Sequence, residues 1–318
     1  MKKWLFMFIA LLFIPSVSIA STMTATQVNA IIGLLQAFNV GQAIVADVQR
    51  ILDPQLSQTT QIKQSIDPPI SLPDIPHHVS VVGSSYIASN VGYDLSYNTF
   101  AYPSIGFNFG IVGITGGKAF VHNDRLVSEY SWARFGLGAA PTLYMNLNAP
   151  YGSTVIGHIN GPKSCVLSTA TSTEPTACEG YNYGYNAAHD AYSYTKSSGV
   201  SSSLWWLDIE EANSWSTNPA VNDATIQGAI DYLNTENIRV GIYSAPHMWQ
   251  EIAGNNFIPI QTIGGKAVPI PNWFPIGIMN RVGAINACVT DTGFIMGSPI
   301  WLIQYETSST AVDQNVAC

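Results

Sequence analysis

The hydrophobic pattern along the chain changes period several times, and each change marks a new segment. Lys2 and Lys3 precede an unbroken apolar run from Trp4 to Ile14, which Pro15 and the small-residue ending Ser18-Ile19-Ala20 follow. That order is the order of a secretory signal peptide over residues 1–20, cut after Ala20. An uncleaved anchor is the competing reading, but the run is shorter than the roughly 20 residues a membrane span needs. No other stretch is long and apolar enough, so no integral membrane span is expected after cleavage. Over residues 21–53 the period turns helical. Val28, Ile31, Ile32, Leu35 and Phe38 share one face and Ile44, Val45, Val48, Ile51 and Leu52 another, with Asn39 to Gly41 between them. This predicts a short helical hairpin, which buries too little surface to stand alone. It packs on the following domain, pairs with a second copy or docks an envelope partner that the sequence does not name. Residues 54–85, with Asp67-Pro68-Pro69 and Leu72-Pro73-Asp74-Ile75-Pro76, have the composition of a partly stiff linker.

From Tyr86 to Cys318 strand-like and helix-like patterns alternate, as a parallel α/β architecture requires. Strands are predicted at Asn90–Leu95, Phe109–Thr115, Thr142–Asn146, Leu204–Ile209, Arg239–Tyr243, weakly at Trp273–Ile278, and at Ile300–Tyr305. Helices are predicted at Arg125–Phe135, Ala187–Ser197, Pro219–Glu236 and Pro246–Ile252. The helix from Pro219 has the clearest start, with Asn218 before a proline and Ile226, Ala229, Ile230 and Leu233 on its buried side. Seven strands are visible and an eighth is not, yet the 233 residues of this region approach the roughly 250 typical of a (β/α)₈ barrel. The predicted fold is therefore an α/β, TIM-like barrel, possible irregularities included. A doubly wound open sheet is the main alternative, but Gly113-Ile114-Thr115-Gly116-Gly117 has neither the dinucleotide-binding nor the P-loop spacing.

Composition narrows the function. The net charge is −8, and about −10 once Lys2 and Lys3 are removed, so a basic surface for nucleic acid is not expected. Only 10% of residues are charged. The polar surface must come mostly from Ser, Thr, Asn, Gln and Tyr, which suits a neutral polymer such as a glycan but also many secreted proteins. Four cysteines allow three pairings in an oxidising compartment. Cys165 and Cys178 flank a Ser/Thr-rich loop and can tie its base, which leaves Cys288 with Cys318. No CxxC or HxxxH spacing exists and His122, His158, His189 and His247 lie in unrelated segments, so neither a metal nor another cofactor is expected.

The sharpest local signal is Leu204-Trp205-Trp206-Leu207-Asp208-Ile209-Glu210-Glu211. Side chains alternate along a strand, so Asp208 and Glu210 face one side and Ile209 the other. At the C-terminal end of a barrel strand that side is the mouth, where barrel active sites sit. Two acids held this close cannot both ionise freely, which favours one as a general acid. Acids at strand ends also cap helices and serve in binding loops, so the motif alone leaves catalysis open. Glu211 faces away and is expected to start a helix. Asp94 ends the first strand, Tyr243 and Ser244 end a later one, Gln304-Tyr305 close the last, and Val312-Asp313-Gln314-Asn315 follow. The Tyr181-Asn182-Tyr183-Gly184-Tyr185 run reads as a rim loop whose rings could stack on sugars.

This ordered set resembles glycoside hydrolase family 25, the lysozyme-type muramidases. The family's first strand is GxDxS-like, here Asp94; an aromatic-rich strand ends in DxE, here Asp208 and Glu210; a GxYS strand supplies Tyr243; and a WQY-like strand followed by a VDxN-like acid supplies Gln304, Tyr305 and Asp313. Within this barrel type the chain is most similar to a secreted bacterial glycoside-hydrolase-like branch with TGGxAF, LYMNxxxP and WWLDxE, all present from Thr115, Leu143 and Trp205 respectively. Two departures stand out. The third strand reads Leu143-Tyr144-Met145-Asn146 where the family has a Tyr-His-Phe-like end, and Trp301-Leu302-Ile303-Gln304-Tyr305 carries an insertion. The resemblance implies a secreted or extracytoplasmic muramidase-type hydrolase of β-1,4 linkages in cell-wall peptidoglycan, with no cofactor. Its implied catalytic residues are Glu210, Asp208, Asp94 and Asp313, and Tyr243, Asn146, Gln304 and Tyr305 would bind substrate. The alternative is a barrel of the same descent that binds glycan at the envelope without cleaving it; a structural surface protein is a more distant third.

Overall fold

The computed structural model describes residues 84–99, 101–150, 158–166, 175–308 and 312–318. The expected signal peptide, helical hairpin and all but the end of the linker lie outside the described residues. Strands β1 (Val91–Leu95), β2 (Phe109–Gly113), β3 (Thr142–Asn146), β4 (Leu204–Asp208), β5 (Arg239–Tyr243), β8 (Asn272–Ile278), β9 (Ile300–Glu306) and β10 (Gln314–Ala317) form a closed barrel in the order β1-β10-β9-β8-β5-β4-β3-β2. A small hairpin of β6 (Gln261–Ile263) and β7 (Lys266–Val268) stands apart. Helices α1 (Leu126–Ala133), α2 (Ala177–Ser197), α3 (Pro219–Thr235), α4 (Pro246–Ala253) and α5 (Arg281–Thr290) complete the described elements. The eight-stranded α/β barrel expected from the sequence is thus present, with two irregularities. No helix separates β1 from β2, and β10 runs antiparallel to both β1 and β9.

Strand alternation divides the apolar residues into two layers. The inward set, including Phe109, Ile111, Tyr144, Leu204, Trp206, Trp273 and Leu302, fills the barrel axis. The outward set, including Leu95, Val112, Leu143, Met145, Trp205, Leu207, Val240 and Ile242, packs against the helices. The bulky axis needs small inward neighbours. A Cβ on Gly92 would lie 2.4 Å from the Phe109 ring, and one on Gly241 2.3 Å from the Trp206 ring. The plug therefore closes the barrel below the mouth, leaving the strand ends above it to shape a cleft.

Helix α2 starts ten residues before the predicted Ala187, so the Tyr181 to Tyr185 run is helix and not a rim loop. Gly180, Gly184, Asn182 and the tyrosines are poor helix formers, which hides the start. A capping box holds it: the backbone N–H of Glu179 donates to the Thr176 hydroxyl at 3.2 Å, and the Thr176 N–H to the Glu179 carboxylate at 2.7 Å. The glycines serve a backbone-to-backbone contact with α3. A Cβ on Gly184 would stand 1.8 Å from the Thr225 carbonyl oxygen, and one on Gly228 2.1 Å from that of Tyr181. Tyr181 itself points away from the mouth, donating to Asp231 at 2.6 Å with Lys163 above its ring. Helix α3 begins as expected, with Asn218 accepting from the Ala220 N–H at 3.1 Å ahead of Pro219. Helix α5, which carries Cys288, lies where the sequence pattern predicts no element. Its N-cap Asn280 accepts from the Gly283 N–H at 2.8 Å. Both expected disulfides are formed, Cys165–Cys178 and Cys288–Cys318. Among the described residues no helix is long and apolar enough to cross a membrane.

The α2–α3 contact leaves no room for a methyl group. Gly184→Ala is expected to destabilise the barrel by about 1–3 kcal/mol, the usual range for overpacking, and to lower Tm by several degrees. Gly199→Ala, where a Cβ meets nothing within 4 Å but φ is +68°, is the control for backbone strain alone; calorimetric melts of both variants check the difference.

Candidate active site

The C-terminal ends of the parallel strands surround a cavity of about 370 Å³. Asp94 enters from β1, Asn146 and Tyr144 from β3, Asp208 from β4 with Glu210 just beyond it, Tyr243 from β5, Trp273 from β8 and Gln304 from β9. Asp313 reaches the same end because β10 runs the other way and begins there. Seven of the eight expected catalytic and binding residues are therefore together. The eighth, Tyr305, is not. Adjacent strand residues face opposite sides, so with Gln304 in the mouth Tyr305 faces outward. It packs with Phe274, Ile303 and Val316, and its hydroxyl hydrogen-bonds Gln314 Oε1 at 3.0 Å. The family likeness supplied Tyr305; the alternation that would have excluded it was already in the sequence. Glu211 also lies outside the cavity, as expected, but it sits 3.8 Å from His247 in an irregular turn and starts no helix.

Polar contacts fix the two deepest acids. Asp94 accepts from Asn315 Nδ2 at 2.7 Å and from Gln304 Nε2 at 3.1 and 3.2 Å on its two oxygens. Asn315 in turn accepts from the Trp273 indole at 2.8 Å, and Gln304 from the Tyr243 hydroxyl at 2.8 Å. Asp208 receives Asn146 Nδ2 on Oδ2, while its buried Oδ1 has no partner. Asn146 is oriented by Thr115, whose hydroxyl donates to Asn146 Oδ1 at 2.8 Å and accepts from the Asn146 N–H at 2.9 Å. Sequence reasoning missed Tyr144, Trp273 and Asn315. Tyr144 and Asn315 sit two residues from Asn146 and Asp313 on the same strand side, which was a usable signal.

Among the described residues no lysine or arginine lines the cavity, so burial and mutual repulsion act on the acids without a counter-charge. Burial, then Asp313, push the Asp94 carboxyl up to about 8 against the pull of its amide donors. Burial, then Glu210 and Asp94, hold Asp208 well above the ordinary carboxylate range. Burial and Asp313 raise Glu210, and burial and Glu306 raise Asp313 to about 6. A cleft of this kind can store protons at neutral pH and deliver one to a leaving oxygen. Among the described residues no cluster of His, Cys, Asp and Glu is arranged to hold a metal ion.

The structure thus shows a closed α/β barrel with four acids gathered at its mouth. Residues 148–262 match the family model described as "Lys-1: Lysozyme-like protein 1". That segment contains Asp208, Glu210 and Tyr243. The chain is 25% identical over 109 residues to "Lysozyme-like protein 2" of Caenorhabditis elegans, covering 34% of this chain and 39% of that one. It is 24% identical over 135 residues to "Counting factor 45-1" of Dictyostelium discoideum, covering 42% and 41%. The chain thus spans about two fifths of the length of these curated relatives. A solved structure described as a glycosyl hydrolase 25 of Streptococcus pneumoniae aligns with 72% of this chain and 87% of its own at 13% identity and a TM-score of 0.41.

The raised acids carry a stability consequence. A carboxyl whose folded-state pKa exceeds its unfolded value binds more protons when folded, so stability falls as pH rises between the two values. For Asp94 that window runs from 3.8 to about 8, and for Asp313 from 3.8 to about 6. The protein is expected to melt higher at pH 5 than at pH 8. Asp208→Asn, which keeps an acceptor for Asn146 and removes a buried charge, should raise Tm at pH 8 more than at pH 5; melts at the two values check it.

Proposed function

We propose that this chain is an exported hydrolase of muramidase type that cleaves β-1,4 linkages in cell-wall peptidoglycan with retention of configuration. The observation that carries this reading is the pair Asp208 and Glu210, two residues apart at one strand end, on one side, in a cation-free mouth with Asp94 and Asp313. The signal peptide expected over residues 1–20 and the two disulfides suit an oxidising, extracytoplasmic compartment. The lysozyme-like match over the segment bearing the pair supports the choice of substrate class.

Glu210 is the general acid. It is less deeply enclosed than Asp208, and burial together with Asp313 keeps its proton to higher pH. Asp208 holds the 2-acetamido group of the sugar: its buried Oδ1 has no hydrogen-bond partner, and rotation of the carboxyl toward the mouth would give it an amide N–H. In the free cleft, burial and Glu210 favour a proton on Asp208. An acetamide N–H at Oδ1, added to the Asn146 donor at Oδ2, favours the carboxylate and leaves the proton on Glu210. Glu210 then protonates the glycosidic oxygen as the acetamide carbonyl oxygen attacks C1 and the C1–O bond breaks. Water next attacks C1 of the oxazolinium, the bond from C1 to the acetamide oxygen breaks to restore the amide, and the Glu210 carboxylate takes up the proton released. Asp208 stabilises the positive charge that develops on the ring.

Digestion of peptidoglycan by the purified exported chain, with new reducing ends read by mass spectrometry, tests the reading. Glu210→Gln is expected to lower turnover by about 10²–10⁴-fold, the range of a lost general acid, while glycan binding persists. Asp208→Asn should lower it by about 10²–10³-fold through lost electrostatic stabilisation, and Glu211→Gln should leave it nearly unchanged. Glycan binding with no release of reducing ends by the unaltered chain would establish the non-catalytic barrel instead.

A further inference from the structure

Asp94 is supported differently at its two oxygens, and a tryptophan sets the difference. The Trp273 indole N–H can only donate, and it donates to Asn315 Oδ1 at 2.8 Å. That leaves Asn315 Nδ2 facing Asp94 Oδ1, to which it donates at 2.7 Å. Both Asn315 and Trp273 are buried, at 0% and 2% exposure. Reversing the Asn315 amide would set its N–H groups against the indole N–H, two donors without an acceptor.

The other support carries no such lock. Gln304 Nε2 donates to both oxygens of Asp94, and Gln304 Oε1 accepts from the Tyr243 hydroxyl. A hydroxyl can donate or accept. The Gln304 amide can therefore reverse and still hold one hydrogen bond on each side, giving up only the bridging of both carboxylate oxygens, provided that Asp94 then carries a proton to donate to Gln304 Oε1. Gln304 Nε2 would then donate to the Tyr243 oxygen, and the Tyr243 hydrogen would be released from Gln304.

We infer that Asn315, aimed by Trp273, is a positioning residue that keeps Oδ1 of Asp94 an acceptor, so that Asp94 takes up its proton on Oδ2 and Gln304 reverses with it. The inference rests on the glycan-site reading only in its consequence: Tyr243 presents an acceptor to the mouth when Asp94 is ionised and a donor when it is protonated. The groups that face this centre are Asp313 ahead of β10, Asp208 and Glu210 from β4, Tyr144 from β3 and Tyr243 from β5. All are acidic or neutral.

The test is an NMR titration of the full chain between pH 4 and 10, following the Asp94 carboxyl carbon and the side-chain amide nitrogens of Asn315 and Gln304. The Gln304 amide is expected to shift at the Asp94 midpoint while the Asn315 amide moves much less. Trp273→Phe frees the Asn315 amide and Asn315→Leu removes the donor. Each should raise the Asp94 midpoint by about one pH unit, because loss of a donor to the carboxylate favours the neutral form. Two amides that shift alike in the unaltered chain overturn the inference. So does an unmoved Asp94 midpoint in Trp273→Phe protein that melts cooperatively, which is read even if Asn315→Leu does not fold. No substrate enters these measurements, so they stand apart from the digestion that tests the hydrolase reading.

Discussion

Buried carboxyl groups with no cation beside them among the described residues are the constraint on which this structure turns. Removing a charge from water is costly unless donors replace the lost hydration, and at this mouth the donors are neutral amides. Asn315 and Gln304 serve Asp94, Asn146 serves Asp208, and each amide is itself hydrogen-bonded to a neighbour, namely Trp273, Tyr243 and Thr115. Trp273 and Tyr243 come from β8 and β5 and Thr115 from the segment just beyond β2, so the site exists only when the barrel is closed. The aromatic plug below has a related role. Trp273 meets the Tyr243 ring at 4.6 Å and the Trp206 ring at 5.5 Å, which holds the indole where its N–H can aim Asn315. Packing and electrostatics therefore meet in one side chain.

The parts of the fold legible in the sequence were those in which local pattern and tertiary role agree. Strand β4 is apolar on both faces and ends in acids, and α3 opens with Asn218-Pro219. What escaped notice was set by distant partners. Strand β10 is four residues long, runs against its neighbours and places polar Asn315 inward, so neither length nor alternation announces it. The start of α2 is hidden by glycines whose value lies in the approach of α3. Helix α5 is rich in Val, Ile, Thr and Cys, with Gly283 in its first turn, and reads as irregular until Ala284, Ile285 and Ala287 are seen against β9 and β10.

The site follows the same division. Asp94, Asp208, Glu210 and Asp313 could be picked out because acids at strand ends are conspicuous and parity says where they point. Tyr305 was carried in by motif likeness against its own parity, and alternation overrules motif. Asn315 and Trp273 were passed over because neither is reactive. Their importance comes from what an indole N–H cannot do, and that becomes visible only with partner atoms in place.

The glycine-lined seam between α2 and α3 has a mechanical meaning. With the Cβ positions of Gly184 and Gly228 already occupied by the opposing backbone, the two helices cannot slide or tilt past one another without collision, and they back the barrel wall behind β3 to β5. That side of the molecule behaves as a single slab. The opposite side is built otherwise: β1 passes to β2 through an irregular connection, and β10 closes the wall as a short antiparallel strand with the single helix α5 against it. The two flanks of the mouth are therefore braced differently, that of Asp208 by a helix pair locked backbone to backbone and that of Asp94 by one short strand.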